Sequence, residues 1–168
     1  MNGKEIGKHR RFAVVFALGM VFIGAQNAYS ENRFADAKEG TVTDSKSGLT
    51  WVKNADCWGA LTWEDASKAV EALNSGKKSC DGLTDTKGGW RLPSKEELVT
   101  LAGTEADAGL ILPKGHPFEK VQQGHYWSST AGEPENTAWY MNMHNGHTDL
   151  YGKASPYFVW PVRGKLTK

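Results

Sequence analysis

The segment Trp139-Tyr140-Met141-Asn142-Met143-His144-Asn145-Gly146-His147-Thr148-Asp149-Leu150-Tyr151 holds the densest group of side chains able to bind or react. Asn145-Gly146 at its centre is the strongest two-residue hairpin signal. A type I′ turn there predicts the cross-strand pairs His144 with His147, Met143 with Thr148, Asn142 with Asp149, Met141 with Leu150, and Tyr140 with Tyr151. Alternation along paired strands then puts Trp139, Met141, Met143 and Leu150 on one face, and Tyr140, Asn142, His144, His147, Asp149 and Tyr151 on the other. The first face is expected in the core. The second joins aromatic rings to amide, imidazole and carboxylate groups, the combination that holds a sugar: rings stack on C–H patches while polar groups take the hydroxyls. An ordinary solvated hairpin face is the competing reading. A metal is the third, since His144, His147 and Asp149 would supply three ligands and leave a fourth position open, as in catalytic zinc sites. No general base stands beside them in the sequence, and no resident cofactor is expected, with zinc or calcium as the alternatives.

Other reactive groups read as structural. Ser128 and Ser129 lack the G-x-S-x-G elbow of a nucleophile and are expected to hydrogen-bond a neighbouring loop. His116 and His125 fall in a loop-like region and are expected at the surface or in loop packing, while Arg91 and Arg163 are expected to pair with acids. Trp51, Trp90 and Trp127 are expected to fill a small core. Glu133-Pro134-Glu135-Asn136 resembles the Glu-Pro-Asn calcium loop of sugar-binding C-type lectins, but it carries an extra Glu and no Trp-Asn-Asp partner follows, so a solvent-exposed turn is expected.

The elements that must position these groups lie beyond an export signal. Basic residues through Arg11 lead into the uncharged run Phe12 to Ala25 and then to the small residues Ala28-Tyr29-Ser30, the pattern of a secretory signal peptide cleaved after Ser30. The apolar run reaches only about 21 Å as a helix, short of the roughly 30 Å hydrocarbon core of a membrane. The protein is therefore expected to be exported, to the periplasm or the cell exterior, with no membrane span once the signal is removed. Four of the 20 Lys/Arg and one of the 19 acids precede residue 31, which leaves 16 basic and 18 acidic groups, a net charge near −2. That balance offers no electrostatic reason to bind nucleic acid or an anionic membrane. Export also makes the two cysteines legible: Cys57 and Cys80, without a CxxC spacing or an intervening His, are expected to form a disulfide. The loop it closes is worth about 3.4 kcal/mol in the chain-entropy model.

Residues 31–39 read as a flexible leader and residues 165–168 as a tail. Thr41 to Lys53 places a turn cluster between two short β-prone runs, a hairpin. Thr62 caps a first helix in which Ala66, Ala69, Val70 and Leu73 recur at helical spacing, and Asn74-Ser75-Gly76 ends it. Ser94 and Glu97 make a capping box for a second helix whose Leu98 and Leu101 point inward. Residues 103–124 read as loop. Short strands follow at 126–129, 139–144, 147–151 and 157–162, so the fold class is α+β.

The ordered elements GTVTDSKSGLTW (40–51), NADCWGALTWEDA (54–66), GGWRLPSKEEL (88–98), YWSST (126–130), AWYMNM (138–143) and VWPVRG (159–164) resemble the Lcl C-terminal domain family, named for the end domain of a bacterial collagen-like adhesin. The resemblance spans residues 40–164. Trp160 departs from it, standing where the commoner ending has arginine, at a position expected to be a charged surface one. The family resemblance implies a C-type-lectin-like fold: two short helices on a small, mostly antiparallel sheet, a long loop region, and termini close together. It also implies a link to sulfated-polysaccharide binding and trimeric assembly, although this sequence has no Gly-X-Y stalk repeat and its acidic balance speaks against polyanions. The WRLPS segment is similar, more distantly, to sulfatase-modifying factors; those enzymes use two late cysteines, and no Cys follows Cys80. The expectation is an exported, non-catalytic module that recognises a glycan or cell-surface polymer. An envelope structural or protein-interaction module is the alternative, and a metal-dependent hydrolase the third.

Overall fold

The computed structural model describes residues 33–103 and 109–167, so the signal-peptide reading of residues 1–30 lies outside the described residues. The early hairpin forms as its pattern predicts. Strands β2 (Thr41–Asp44) and β3 (Thr50–Val52) pair antiparallel, Val42 facing Trp51, across a turn closed by the bond from Gly48 N to Asp44 O. Residues 33–39 depart from the expected flexible leader. Strand β1 (Phe34–Asp36) pairs with β2, because Phe34 buries its ring edge-on against Phe118 at 4.9 Å and Arg33 clamps the buried Asp44 carboxylate with two bonds of 2.7 and 2.8 Å. Gly40 ends that turn at φ +75°, and a Cβ there would lie 2.1 Å from Gly82 O, so only glycine lets the two loops pack.

Helix α1 (Trp63–Asn74) starts at Thr62, whose hydroxyl accepts the N–H of Asp65, and it buries Ala66, Ala69 and Val70. Helix α2 (Lys95–Thr100) opens with the complete capping box of Ser94 and Glu97. Glu97 serves twice, since its carboxylate also takes both arms of Arg91 at 2.6 Å. Leu98 and Leu101 are fully buried, each stabilising by roughly 1.5–3 kcal/mol. The Cys57–Cys80 disulfide is formed, with Cα atoms 4.9 Å apart, and ties the segment before α1 to the loop after it.

Strands β4 (His125–Ala131), β5 (Thr137–Asn142) and β6 (Thr148–Gly152) make a second antiparallel sheet, while β7 (Val162–Arg163) joins the first sheet beside β3, in the order β1-β2-β3-β7. Among the described residues the architecture is α+β, two helices and two antiparallel sheets. Since each neighbour runs antiparallel, β1 begins and β7 finishes at the same end of the first sheet.

The second sheet divides the core by strict alternation. Tyr126 and Met141 face a cluster built on Trp51, Phe118 and Trp160; Trp127 and Ala138 face another built on Val70, Trp90 and Cys80. Trp160 is not a surface position. It is fully buried, 4.8 Å from Phe118 and 5.4 Å from Trp51, and its indole N–H donates to Val52 O at 2.7 Å, so an apolar ring with one donor fits where a charge would be stranded. Only β7 and isolated bridges represent the strand expected over 157–162.

The late hairpin forms in a different register. Tyr140 pairs with Asp149 and Ala138 with Tyr151, two residues away from the predicted pairing. Asn142 N bonds His147 O and Gly146 N bonds Asn142 O, both at 2.8 Å, closing a four-residue loop in which Gly146 has φ +74° and Asn145 keeps an ordinary backbone. The cause is Met143. Its side chain is fully buried, its N–H donates to Gly124 O and its carbonyl accepts Ile111 N, both at 2.9 Å, so it leaves the ladder for the core and a tight I′ turn has no room to close. A shift of two residues preserves the faces.

Candidate functional site

On the face of the second sheet that carries Trp127 and Ala138, at the margin of the Val70, Trp90 and Cys80 cluster, five rings from four stretches of chain come together. Tyr157 is their hub, with ring centroids 4.5 Å from Trp127, 4.8 Å from His125, 5.0 Å from Tyr140 and 5.7 Å from Tyr151. His125 stands edge-on to Tyr140 at 4.7 Å, and Tyr140 edge-on to Tyr151 at 6.4 Å. The geometry follows from alternation on β4, β5 and β6, where Trp127 pairs with Tyr140 and Ala138 with Tyr151. Tyr157 is fixed separately: its backbone exchanges bonds of 2.8 and 3.0 Å with Leu61, whose carbonyl also accepts the Trp127 indole N–H at 2.9 Å. Phe158 bridges one edge of β4 beside Tyr126, its N–H donating to His125 O and its carbonyl accepting Trp127 N. Trp127 is the buried floor; Tyr151, 52% exposed, is the open face.

Polar groups rim this platform. Asn142 pairs with His125 and its amide lies 3.4 Å from the imidazole Nε2, while its carbonyl oxygen accepts His144 N. Asp149 accepts Leu150 N with one oxygen and stands 3.8 Å from His147 Nε2 with the other. Burial raises the Tyr140 phenol above its ordinary value, helped by Asp149 and Tyr151; burial likewise lifts Tyr157, to about 12, with Tyr140 and Tyr151 adding to it. Both phenols therefore stay protonated, able to donate and accept, across the neutral range.

Of the residues singled out in the sequence, Tyr140, Asn142, His147, Asp149 and Tyr151 share the expected face. His144 does not join them, because it sits in the opened loop with Nδ1 3.0 Å from Gly109 O. The three-ligand set of His144, His147 and Asp149 is thus not assembled, and among the described residues no three His, Cys, Asp or Glu side chains are grouped to hold a metal ion. The turn at Glu133–Asn136 has a cis Glu133-Pro134 bond, and the Lys153 ammonium donates to Glu135 O at 2.6 Å, which puts a fixed cation where a calcium ligand set would need none. His116 packs in a loop, 5.7 Å from Phe118. Ser128 and Ser129 donate to Trp139 O and Pro93 O; Arg91 and Arg163 pair with Glu97 and Asp85. Trp51, Trp90 and Trp127 are buried, as expected.

The sequence reading missed Tyr157 and His125. Alternation in His125-Tyr126-Trp127 could have placed His125 on the platform side of β4, but no local signal brings Tyr157 there.

The fold defines a small α+β domain, stapled by one disulfide, whose second sheet carries an aromatic surface platform. The chain belongs to the Lcl C-terminal domain family, whose model matches residues 40–163. No curated protein matches it. The family and the formed disulfide point to an exported protein, and among the described residues no helix is long and apolar enough to cross a membrane.

Proposed function

We propose that this domain is an exported, non-catalytic recognition module with a C-type-lectin-like fold, and that it binds a glycan on the platform of Tyr140, Tyr151, Tyr157 and His125. The observation that carries this reading is the five-ring cluster itself. A half-exposed aromatic surface rimmed by an amide, a carboxylate and phenols offers stacking and hydrogen bonds together, whereas a ring cluster serving only the core would be closed over. Membership in a family named for an adhesin end domain supports it, as does the secretion pattern at the N-terminus. The balance of charge beyond residue 30 favours neutral or basic sugars over sulfated ones. Glycan-array and heparin-column profiling of residues 31–168 tests the reading, with Tyr151→Ala beside the unaltered chain. Saccharide binding that Tyr151→Ala removes while the thermal midpoint holds is the expected result; silence on both surfaces overturns it.

A further inference from the structure

The open rings of this protein fall into two groups. Three of its seven Trp are half-buried, and each has a lysine over its face: Lys78 over Trp58 at 5.3 Å, Lys153 over Trp63 at 4.6 Å and Lys95 over Trp139 at 4.0 Å. The buried rings of Phe34 and Trp90 are covered likewise, by Arg33 and Arg163. An aromatic face is negative at its centre and attracts such cations. Among the described residues, however, no Lys or Arg lies over Tyr140, Tyr151 or Tyr157, although Tyr151 is 52% exposed and the other two are half-buried. Lys153, two residues past Tyr151, is held instead by the Trp63 ring and by Glu135 O at 2.6 Å.

The charge around the uncovered faces is acidic. Asp149 pairs with Tyr140 across β5 and β6, with the His147 imidazole 3.8 Å from its carboxylate. Beyond burial, the main cause in both phenols, Asp149 and Tyr151 raise Tyr140, and Tyr140 and Tyr151 raise Tyr157. A ligand cation would meet bare ring faces and a negative edge. A primary ammonium is strongly hydrated and needs acceptors for its N–H groups, whereas Asp149 already gives one oxygen to Leu150 N. A quaternary ammonium has no N–H to satisfy and packs its methyl groups on aromatic faces. The Tyr140, Tyr151 and Tyr157 hydroxyls have no partner among the described residues, so they remain for the oxygens of the same ligand.

We propose that the platform recognises a quaternary ammonium group, the trimethylammonium of choline carried on a saccharide, with Tyr151 as its open wall. This rests on the platform being a saccharide site and adds the substituent that it selects. Calorimetry on residues 31–168 with choline, ethanolamine and the neutral tert-butyl isostere of choline tests it, beside a polysaccharide substituted with phosphocholine and the same polysaccharide stripped of it. Choline should bind at least about tenfold more tightly than either analogue, and the substituted polysaccharide should outbind the stripped one by a similar factor. Tyr151→Ala should remove both preferences, and Tyr151→Trp should keep them, because indole is the best ring for a cation. Equal binding of choline and its neutral isostere, a preference for ethanolamine, or a preference that survives Tyr151→Ala overturns the inference; Tyr151-dependent binding of unsubstituted glycans would then leave the saccharide reading standing alone. Capture by phosphatidylcholine vesicles without binding of either polysaccharide overturns the assignment to a saccharide. Tyr151 is exposed, and circular dichroism of both variants checks that the fold is retained.

Discussion

Packing of the Tyr157 ring among four others sets its acid–base behaviour. Its phenol is raised from an ordinary 10.0 to about 12, first by burial and then by Tyr140 and Tyr151, and Tyr140 is raised in the same sense. A folded value above the unfolded one means that the stabilisation is complete below pH 10.0 and is lost as pH rises through about 12. Ultraviolet titration should show these phenols ionising after exposed tyrosines, and Tyr157→Phe should remove the late step. At the acid end the sign reverses. The Arg163 guanidinium, bonded to Asp85 at 2.6 and 2.7 Å, holds that buried carboxyl at about 2, against burial, so its stabilisation is present above pH 3.8 and is lost as pH falls through about 2. Arg163→Met leaves the carboxylate buried without its partner and should lower stability by about 3 kcal/mol, read from urea unfolding at neutral pH. The pairing of Arg163 with an acid was legible in the sequence as a type of contact; which acid was not, because Asp85 comes from a loop distant in the chain.

At the scale of elements, what was legible is what neighbours within four or five residues decide. The Thr62 and Ser94 caps and the 41–52 hairpin form as read because their partners are local. The 137–152 hairpin took another register because Met143 is claimed by Gly124 and Ile111, whose approach no turn rule contains. The face assignment survived, since the shift was even, so Tyr140, Asn142, Asp149 and Tyr151 still lie on one face; His144 fell away because it lies inside the reopened loop. Gly146 now bears the positive φ alone, and a Cβ there would stand 3.2 Å from Ile111 Cγ2. Gly146→Ala should therefore cost about 1 kcal/mol and loosen Tyr151 through β6, seen as a lower thermal midpoint with weaker ligand binding. A type I′ turn would have put Asn145 at positive φ as well. The N-terminal leader was misread for a similar reason. Polar composition hid Phe34, whose place depends on Phe118 and on Asp44 receiving Arg33.

For the molecule as a whole, the disulfide spans α1 and ends against the cluster that also supports Trp127 beneath the platform. Cys57→Ser, Cys80→Ser and the double variant should each remain folded and lose about 3 kcal/mol, the double no worse than the singles, because one cross-link is removed in every case. Thiol titration of the denatured, unreduced protein should find no free thiol; two per chain would contradict the bridge. The strand order β1-β2-β3-β7 bears on how such a domain can be carried. Its two ends emerge from one end of a sheet with three strand spacings between them, a gap of about 14 Å. A polypeptide can thus detour through the whole domain and resume its course almost where it left. The domain can hang from the tip of a stalk, and it can equally be spliced into a surface loop of a host protein, whose own fold would need to open by about three strand spacings.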